Sequence, residues 1–261
     1  MSSESSNAEK AKELISQGGE IAGTAVGGAL GFLAIGPSGA AAGAVGGLLL
    51  SKAVAVAAEF AFRHLSRREK LRVGAGLAFA LAKINQHLAE GHMPRSDDFF
   101  DRGTAQRSAS DEILEGVLFK CKNEHEEKKL RLLANIYANV AFMPEVSSAG
   151  ANWLLQKGEE LTFRQMCIIS LVKRKGVRGA SWGPRDGDPA FEMEYKALES
   201  MFVRDSSPEA MRHYRETGEG RSIIGLSRTG EFCYKVMGLE EIPEDDLRQL
   251  APRFPRAFEP E

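Results

Sequence analysis

The stretch IAGTAVGGALGFLAIGPSGAAAGAVGGLLLS, residues 21–51, contains no charged residue, although 27% of the whole chain is charged. As a single helix of 31 residues it would be about 46 Å long, which exceeds the roughly 30 Å hydrocarbon core of a bilayer. The sequence Gly36-Pro37-Ser38-Gly39 near its middle is typical of a turn or a sharp kink. The stretch therefore predicts a membrane-inserting helical hairpin with arms of roughly 19–35 and 39–62.

Both predicted arms repeat glycine at every fourth position. Residues four apart share one face of a helix, so each arm would present a smooth stripe without side chains. In lipid such stripes let helices approach closely and associate, whereas in water each glycine costs up to about 1 kcal/mol of helix stability relative to alanine. The glycines predicted to mediate membrane packing and oligomerisation are Gly19, Gly23, Gly27, Gly31, Gly39, Gly43 and Gly47.

Two other structures for residues 19–62 stay open. One is a hairpin buried in a soluble core, and the other is a flexible linker, although a linker should be polar and aperiodic. Lys52 and Glu59 lie on one face of the second arm, so a spanning arm would place them among headgroups, pair them, or let them line water. The combination favours a conditional inserter, which is soluble or shielded in one state and assembled in the membrane in another.

Five basic residues follow the second arm within ten positions. Such a cluster matches the excess of positive charge on the cytoplasmic side of membrane segments and suits anionic headgroups. It predicts a protein of the inner (cytoplasmic) membrane with a cytosolic body, although an ordinary solvated helix face is the alternative. The residues predicted to lie at the membrane surface are Arg63, Arg67, Arg68, Lys70 and Arg72.

The two glycine ladders, the Gly-Pro-Ser-Gly turn and the basic flank resemble the glycine-zipper two-helix membrane effectors of bacterial anti-phage and toxin systems. The resemblance covers under a third of the chain. It implies a self-associating effector that perturbs or permeabilises the bilayer under the control of a cytosolic body. A lipid bilayer, further copies of the chain and a regulatory protein or nucleic-acid trigger would be its partners, and no catalytic residue is implied.

The rest of the chain predicts a mainly α fold that ends in a small α+β domain. A long helix is expected from Ser108 or Ser110 toward Phe142, with a break near Met143-Pro144. The charged centre of that helix, residues 122–129, would be either a solvated span or a polar contact with a partner. The predicted regions are a polar leader (1–18), the membrane hairpin (19–62), a basic and amphipathic helix ending at Gly91 with a hinge loop (63–109), a helical domain (110–158), a winged-helix-like domain (159–240) and a loosely held tail (241–261).

Local signals place several boundaries in the C-terminal half. Thr162 and Gln165 have the spacing of a capping box, and three basic residues before Gly176 suit the last turn of the same helix. Proline at the first helical position indicates two further helix starts. The remaining predicted features are helix starts at Asp188-Pro189 and Ser207-Pro208, a strand at Ile223–Leu226 and a helix from Thr229 to Met237 stopped by Gly238.

The segment Ile223-Ile224-Gly225-Leu226-Ser227-Arg228-Thr229-Gly230-Glu231-Phe232 resembles the wing and following helix of winged-helix domains. The resemblance implies a nucleic-acid reader, yet the region from Leu161 to Lys235 has 13 basic against 10 acidic residues, a weak excess for that function. A protein-interaction or sensing use of the same fold is the alternative. The residues predicted to contact nucleic acid or a partner are Arg164, Lys173, Arg174, Lys175 and Arg178.

The signatures of enzymes and metal sites that we sought are incomplete. The run Asn123-Glu124-His125-Glu126-Glu127 lacks the second histidine of a zinc protease because position 129 is lysine, so it predicts solvated helix charges. The histidines at 64, 87, 92 and 213 have no partner at ligand spacing, and the three cysteines form no CxxC pair. We therefore expect no catalytic site, no metal and no cofactor. The alternative function is a membrane-tethered or soluble winged-helix regulator or scaffold that binds nucleic acid or protein.

Overall fold

The computed structural model describes residues 56, 65–175, 178–179, 189–199, 201–205 and 222–254. The described part is mainly α-helical, as predicted. The chain divides into two compact units between Glu160 and Leu161. Apart from Val56, the predicted glycine hairpin lies outside the described residues, as do Arg63, the predicted helix start at Ser207-Pro208 and residues 255–261.

The N-terminal unit contains four described helices. Ser66 begins the first of them with a capping box, in which its hydroxyl accepts from the Glu69 backbone and the Glu69 carboxylate accepts from the Ser66 backbone. The first helix packs on the second and third, and the fourth covers the second and third in turn. The helices are α1 (Arg67–Ala89), α2 (Ala109–Asn123), α3 (Lys129–Val140) and α4 (Ser148–Glu160).

The prediction of one long helix from Ser108 to Phe142 is wrong beyond Asn123. Its start is confirmed, because Ser108 caps α2 and forms a capping box with Asp111. The helix ends where Glu124 adopts an extended conformation, and α3 starts only at Lys129. The apolar residues on both sides of the break keep helical spacing, so the sequence pattern does not reveal it. Glu124 and Lys129 are buried at the break as an ion pair.

The segment predicted as a hinge loop, residues 92–109, is mostly a loop, and its Arg95 and Phe99 side chains are buried in the N-terminal unit. The Arg95 side chain is 5% exposed and donates to the carbonyl oxygens of Val146 at 2.8 Å and Met143 at 3.2 Å. Phe99, in a short 3₁₀ helix (Asp98–Phe100), is buried and lies under the Arg95 guanidinium. The break predicted near Met143-Pro144 is confirmed by the gap between α3 and α4.

The C-terminal unit combines helices with a small antiparallel sheet. The elements are α5 (Phe163–Lys175), β1 (Arg178–Gly179), α6 (Pro189–Glu199), β2 (Val203–Asp205), β3 (Ser222–Leu226), α7 (Arg228–Met237), a 3₁₀ helix (Leu239–Glu241) and α8 (Glu244–Arg248). The strand order in the sheet is β1-β3-β2, with Arg178 opposite Ile223 and Val203 opposite Leu226. Strand β3 and helix α7 both pack on α5.

Most of the local signals in this unit are confirmed. The Gln165 backbone donates to the Thr162 hydroxyl at 3.1 Å, and the Thr162 backbone donates to the Gln165 side chain at 3.0 Å, which completes the capping box. Helix α6 begins at Pro189, and Gly238 ends α7 with a φ of +66°. The start of α7 differs slightly, since Ser227 rather than Thr229 caps it.

Gly230 is required by a close backbone approach in the first turn of α7. A Cβ atom at this position would lie 2.1 Å from the carbonyl oxygen of Phe202. That carbonyl accepts a hydrogen bond from the Ser227 backbone at 2.9 Å, so it cannot simply move away. The glycine therefore lets α7 begin directly against the residue that precedes β2.

The prediction of a loosely held tail after Pro243 is wrong as far as Phe254. Residues 244–248 form α8, and Leu247, Leu250 and Phe254 are buried. The Phe254 ring packs edge-on against Phe191 of α6 with a centroid distance of 5.7 Å. Apolar residues three and four positions apart share a face of a helical turn, and burial of that face holds the segment.

Candidate functional site

The basic residues at the start of α1 differ in exposure. Arg67 and Arg68 are exposed, and Lys70 is half-buried. In the sequence these residues follow the predicted second arm, which ends at residue 62.

Arg72 is directed toward the turn between α2 and α3. Its side chain is 13% exposed, its Nε atom is 3.9 Å from the Glu127 carboxylate, and it donates to the Lys122 carbonyl at 3.5 Å. Arg68 also pairs with Glu127, at 3.4 Å. The Glu127 carboxylate therefore offsets part of the positive charge of Arg68 and Arg72, two of the residues predicted to lie at a membrane surface.

The basic residues predicted to contact nucleic acid or a partner have acidic neighbours within the C-terminal unit. For Arg178, one of the five candidates, only the backbone is described, as part of β1. Each of the other four basic side chains forms an ion pair with a carboxylate, so a phosphate would have to compete with that carboxylate for it. The pairs are Arg164 with Glu194, Lys173 with Glu231 at 2.9 Å, Arg174 with Glu244 at 3.0 Å and Lys175 with Glu244 at 3.4 Å.

The sequence predicted solvated helix charges for the charged run between α2 and α3, and this prediction is wrong for Glu124 and Lys129. Glu124 and Lys129 are 5% and 2% exposed and form an ion pair at 2.6 Å. The Lys129 ammonium also donates to the Glu159 carbonyl at the end of α4, at 3.2 Å. His125 alone of these three neighbouring groups projects outward, with 86% of its side chain exposed.

A histidine pair lies at the C-terminal end of α1. The His87 and His92 Nδ1 atoms are 3.2 Å apart, and the Glu90 carboxylate oxygen Oε2 lies 3.5 Å from His92 Nδ1 and 4.0 Å from His87 Nδ1. These three ligand atoms all lie within 4.8 Å of one another. The prediction that neither histidine has a partner is therefore wrong for this pair.

The way in which α1 ends brings these side chains together. The His92 backbone donates to the His87 carbonyl at 2.9 Å, and the Gly91 backbone donates to the Leu88 carbonyl at 3.1 Å. This is the Schellman arrangement, in which a left-handed residue turns the chain back over the last helical turn. Gly91 supplies the left-handed conformation with a φ of +83°. Residues five apart in sequence thereby face each other.

Neighbouring side chains orient two of the three groups. Asn139 Oδ1, on α3, lies 2.7 Å from His87 Nε2. Because an amide oxygen can only accept, this contact favours the neutral tautomer that carries its proton on Nε2 and presents a lone pair on Nδ1. The Gln86 side chain donates to Glu90 Oε1 at 2.8 Å and leaves Oε2 toward the histidines. Burial lowers the pKa of His87, and the hydrogen bond from Gln86 is the main cause of a lowered Glu90 pKa.

A second group of potential ligands, Glu124, His125 and Glu126, is already engaged. The Lys129 ammonium is 2.6 Å from Glu124 and 4.0 Å from Glu126, so a cation there would have to displace a buried positive charge. The cysteines offer little more, because all three are buried. Burial raises the pKa of Cys121 to about 12, which keeps it a thiol rather than a reactive thiolate.

Within the part of the chain that the structure describes, no helix combines the length and the apolar character needed to cross a bilayer. The glycine-rich hairpin lies outside that part and stays a prediction. Comparison of the chain with protein-family models, with curated proteins and with solved structures finds no match in any of the three.

Proposed function

We propose that this protein is a membrane-inserting, self-associating effector that perturbs or permeabilises the bilayer, in the setting of bacterial defence. The observation that carries the proposal is the uncharged stretch 21–51 with its two glycine ladders. Glycines at every fourth position would weaken the two helices in water, whereas in lipid they would let the helices pack closely and so stabilise their association.

The described body suits attachment to such a segment. Helix α1 starts at Arg67 with a capping box formed by Ser66 and Glu69, so only residues 63–66 separate it in the sequence from the predicted hairpin. Exposed Arg67 and Arg68 lie at that junction, where anionic headgroups would attract them. In this proposal the hairpin keeps both of its ends, and the whole body, on the cytoplasmic side of the inner membrane.

The C-terminal unit is proposed to be a winged-helix-like regulatory domain that senses a protein partner. Its small antiparallel sheet between helices is compatible with the resemblance carried by residues 223–232. We favour a protein over a nucleic acid as the trigger because four of the five basic candidates pair with carboxylates. Tight DNA binding by the full chain, falling steeply with salt, would favour the nucleic-acid regulator instead.

Leucine substitutions on and off the glycine stripe test the proposal. Gly27→Leu and Gly43→Leu should abolish cross-linked oligomers in membranes and the growth arrest that expression causes. The matched controls, Ala25→Leu and Ala41→Leu, add a larger apolar side chain on the opposite helix face and should keep both properties. Circular dichroism should show an unchanged body in all four variants. Full activity in both glycine variants, or equal losses in the alanine controls, would contradict the proposal.

A further inference from the structure

We propose that His87, Glu90 and His92 form a binding site for a divalent transition-metal ion, with zinc as the ion that the geometry fits best. The site lies at the end of α1 in the N-terminal unit. Its three residues lie outside the glycine-rich stretch in the sequence, and the proposal would stand even if the protein never enters a membrane.

The ligand distances match tetrahedral coordination. Zinc–nitrogen bonds of 2.0–2.1 Å at tetrahedral angles place two nitrogen ligands about 3.3 Å apart. The two Nδ1 atoms are 3.2 Å apart, and the Glu90 oxygen is 3.5 Å from His92. The third edge, between Glu90 and His87, is 4.0 Å. Glu90 is about half exposed, and a shift of its carboxylate by less than about 1 Å would bring that edge to tetrahedral spacing.

The ligand chemistry favours a borderline cation. Two imidazole nitrogens and one carboxylate are a common set for zinc, whereas calcium and magnesium prefer oxygen ligands alone. Three protein ligands leave the fourth position to water or another donor. That position faces solvent, because 57% of the His92 side chain and 46% of the Glu90 side chain are exposed.

The surrounding contacts are those expected of a metal site. A ligating histidine commonly donates its second ring nitrogen to an acceptor that fixes the tautomer, and Asn139 has that position behind His87. Gln86 holds the carboxylate of Glu90 in the same manner. Phe142 packs against the His87 ring at a centroid distance of 4.8 Å and restricts its rotation. The His87 ring is thus held by Asn139 and Phe142, and the backbone turn brings His92 beside it, before any ion binds.

Metal titration of the full-length protein, purified in detergent without a histidine tag and stripped with a chelator, tests the site. Zinc should bind with one-to-one stoichiometry and raise the unfolding temperature, and cobalt should give the visible absorption of a tetrahedral complex. His92→Ala should lower zinc affinity by about 100-fold or more, and Asn139→Ala by about 10-fold. His125→Ala, the exposed histidine of the other cluster, is the matched control and should change nothing.

Two outcomes would overturn the proposal. One is the absence of stoichiometric zinc binding by the unaltered protein, which would leave an ordinary hydrogen-bonded histidine pair. The other is zinc binding that survives His92→Ala and Glu90→Gln, which would place the ion elsewhere in the chain. Because both variants alter exposed side chains, circular dichroism should confirm that they remain folded.

Discussion

Among the described residues, Lys129 is the most deeply buried charged residue, and its ammonium is held by two acceptors. One is the Glu124 carboxylate and the other is the Glu159 carbonyl at the end of α4. The contacts join the α2–α3 turn to α4. Lys129 and Glu159 are 30 residues apart, so a contact remote in sequence helps to hold a turn that the helical spacing of residues 113–140 did not reveal.

Removal of the ammonium should therefore destabilise the N-terminal unit. Lys129→Met keeps an unbranched, apolar side chain that ends one atom short of the ammonium position, but it leaves the buried Glu124 carboxylate without the ammonium, which costs about 3–5 kcal/mol. Chemical denaturation followed by circular dichroism measures the loss. The exposed neighbour provides the control, since Lys128→Met should change the free energy of unfolding by about 0.5 kcal/mol or less.

The double variant Glu124→Gln/Lys129→Met separates loss of the pair from loss of packing. It removes both charges, so it should be more stable than Lys129→Met alone. Equal unfolding midpoints for Lys129→Met and Lys128→Met would show that the ion pair does not hold this turn.

The histidine pair shows which site residues a sequence can and cannot reveal. Gly91 signals the end of α1 from the sequence alone, because glycine is the common residue just beyond a helix. The turn at Gly91 brings residues five apart into contact, a spacing outside the three- and four-residue steps that mark a helix face. The oxygen of Asn139 comes from another helix, and no local pattern points to it.

At the scale of elements, the loop that contains Arg95 and Asp97 fastens α1 to the connection between α3 and α4. Arg95 makes a two-point contact with the Asp97 carboxylate, and the hydrogen bond from Arg95 is the main cause of a lowered Asp97 pKa. Since the folded-state pKa lies below the ordinary value of 3.8, the carboxylate stabilises the fold at higher pH. That contribution is lost as the pH falls through the folded value.

The variant Asp97→Asn tests this contact through its pH dependence. At neutral pH the variant should unfold at lower denaturant concentration than the unaltered protein, and the difference should shrink below pH 3.8. The effect should be modest because 37% of the Asp97 side chain is exposed. The exposed Asp101→Asn is the control. A difference that stays constant down to acid pH would rule out the carboxylate as its source.

Elements that begin or end on local chemistry were predictable from the sequence. The caps at Ser108 and Thr162, the proline start of α6 and the glycine stop after α7 all depend on residues within one helical turn. The buried tail was not predictable in the same way. Helix α8 is mostly charged, and the sequence does not show that Leu250 and Phe254 are buried or that Phe254 packs on Phe191 of α6.

At the scale of the whole molecule, the chain combines a folded body of two units with an uncharged, glycine-periodic stretch of quite different composition. The body has buried cores and paired charges, as expected of a domain in water. The stretch between residues 21 and 51 is rich in glycine, alanine and larger apolar residues and contains no charged residue. This contrast is the reason for assigning the two parts to different solvents.

Leakage of a fluorescent dye from liposomes of anionic composition tests that assignment most directly. The full-length protein should release the dye, and the chain that lacks residues 19–62 should release none while keeping its helical circular dichroism spectrum. Equal release by the shortened chain would contradict the membrane assignment, and so would a full-length protein that causes no release and stays in the soluble fraction wherever it is active.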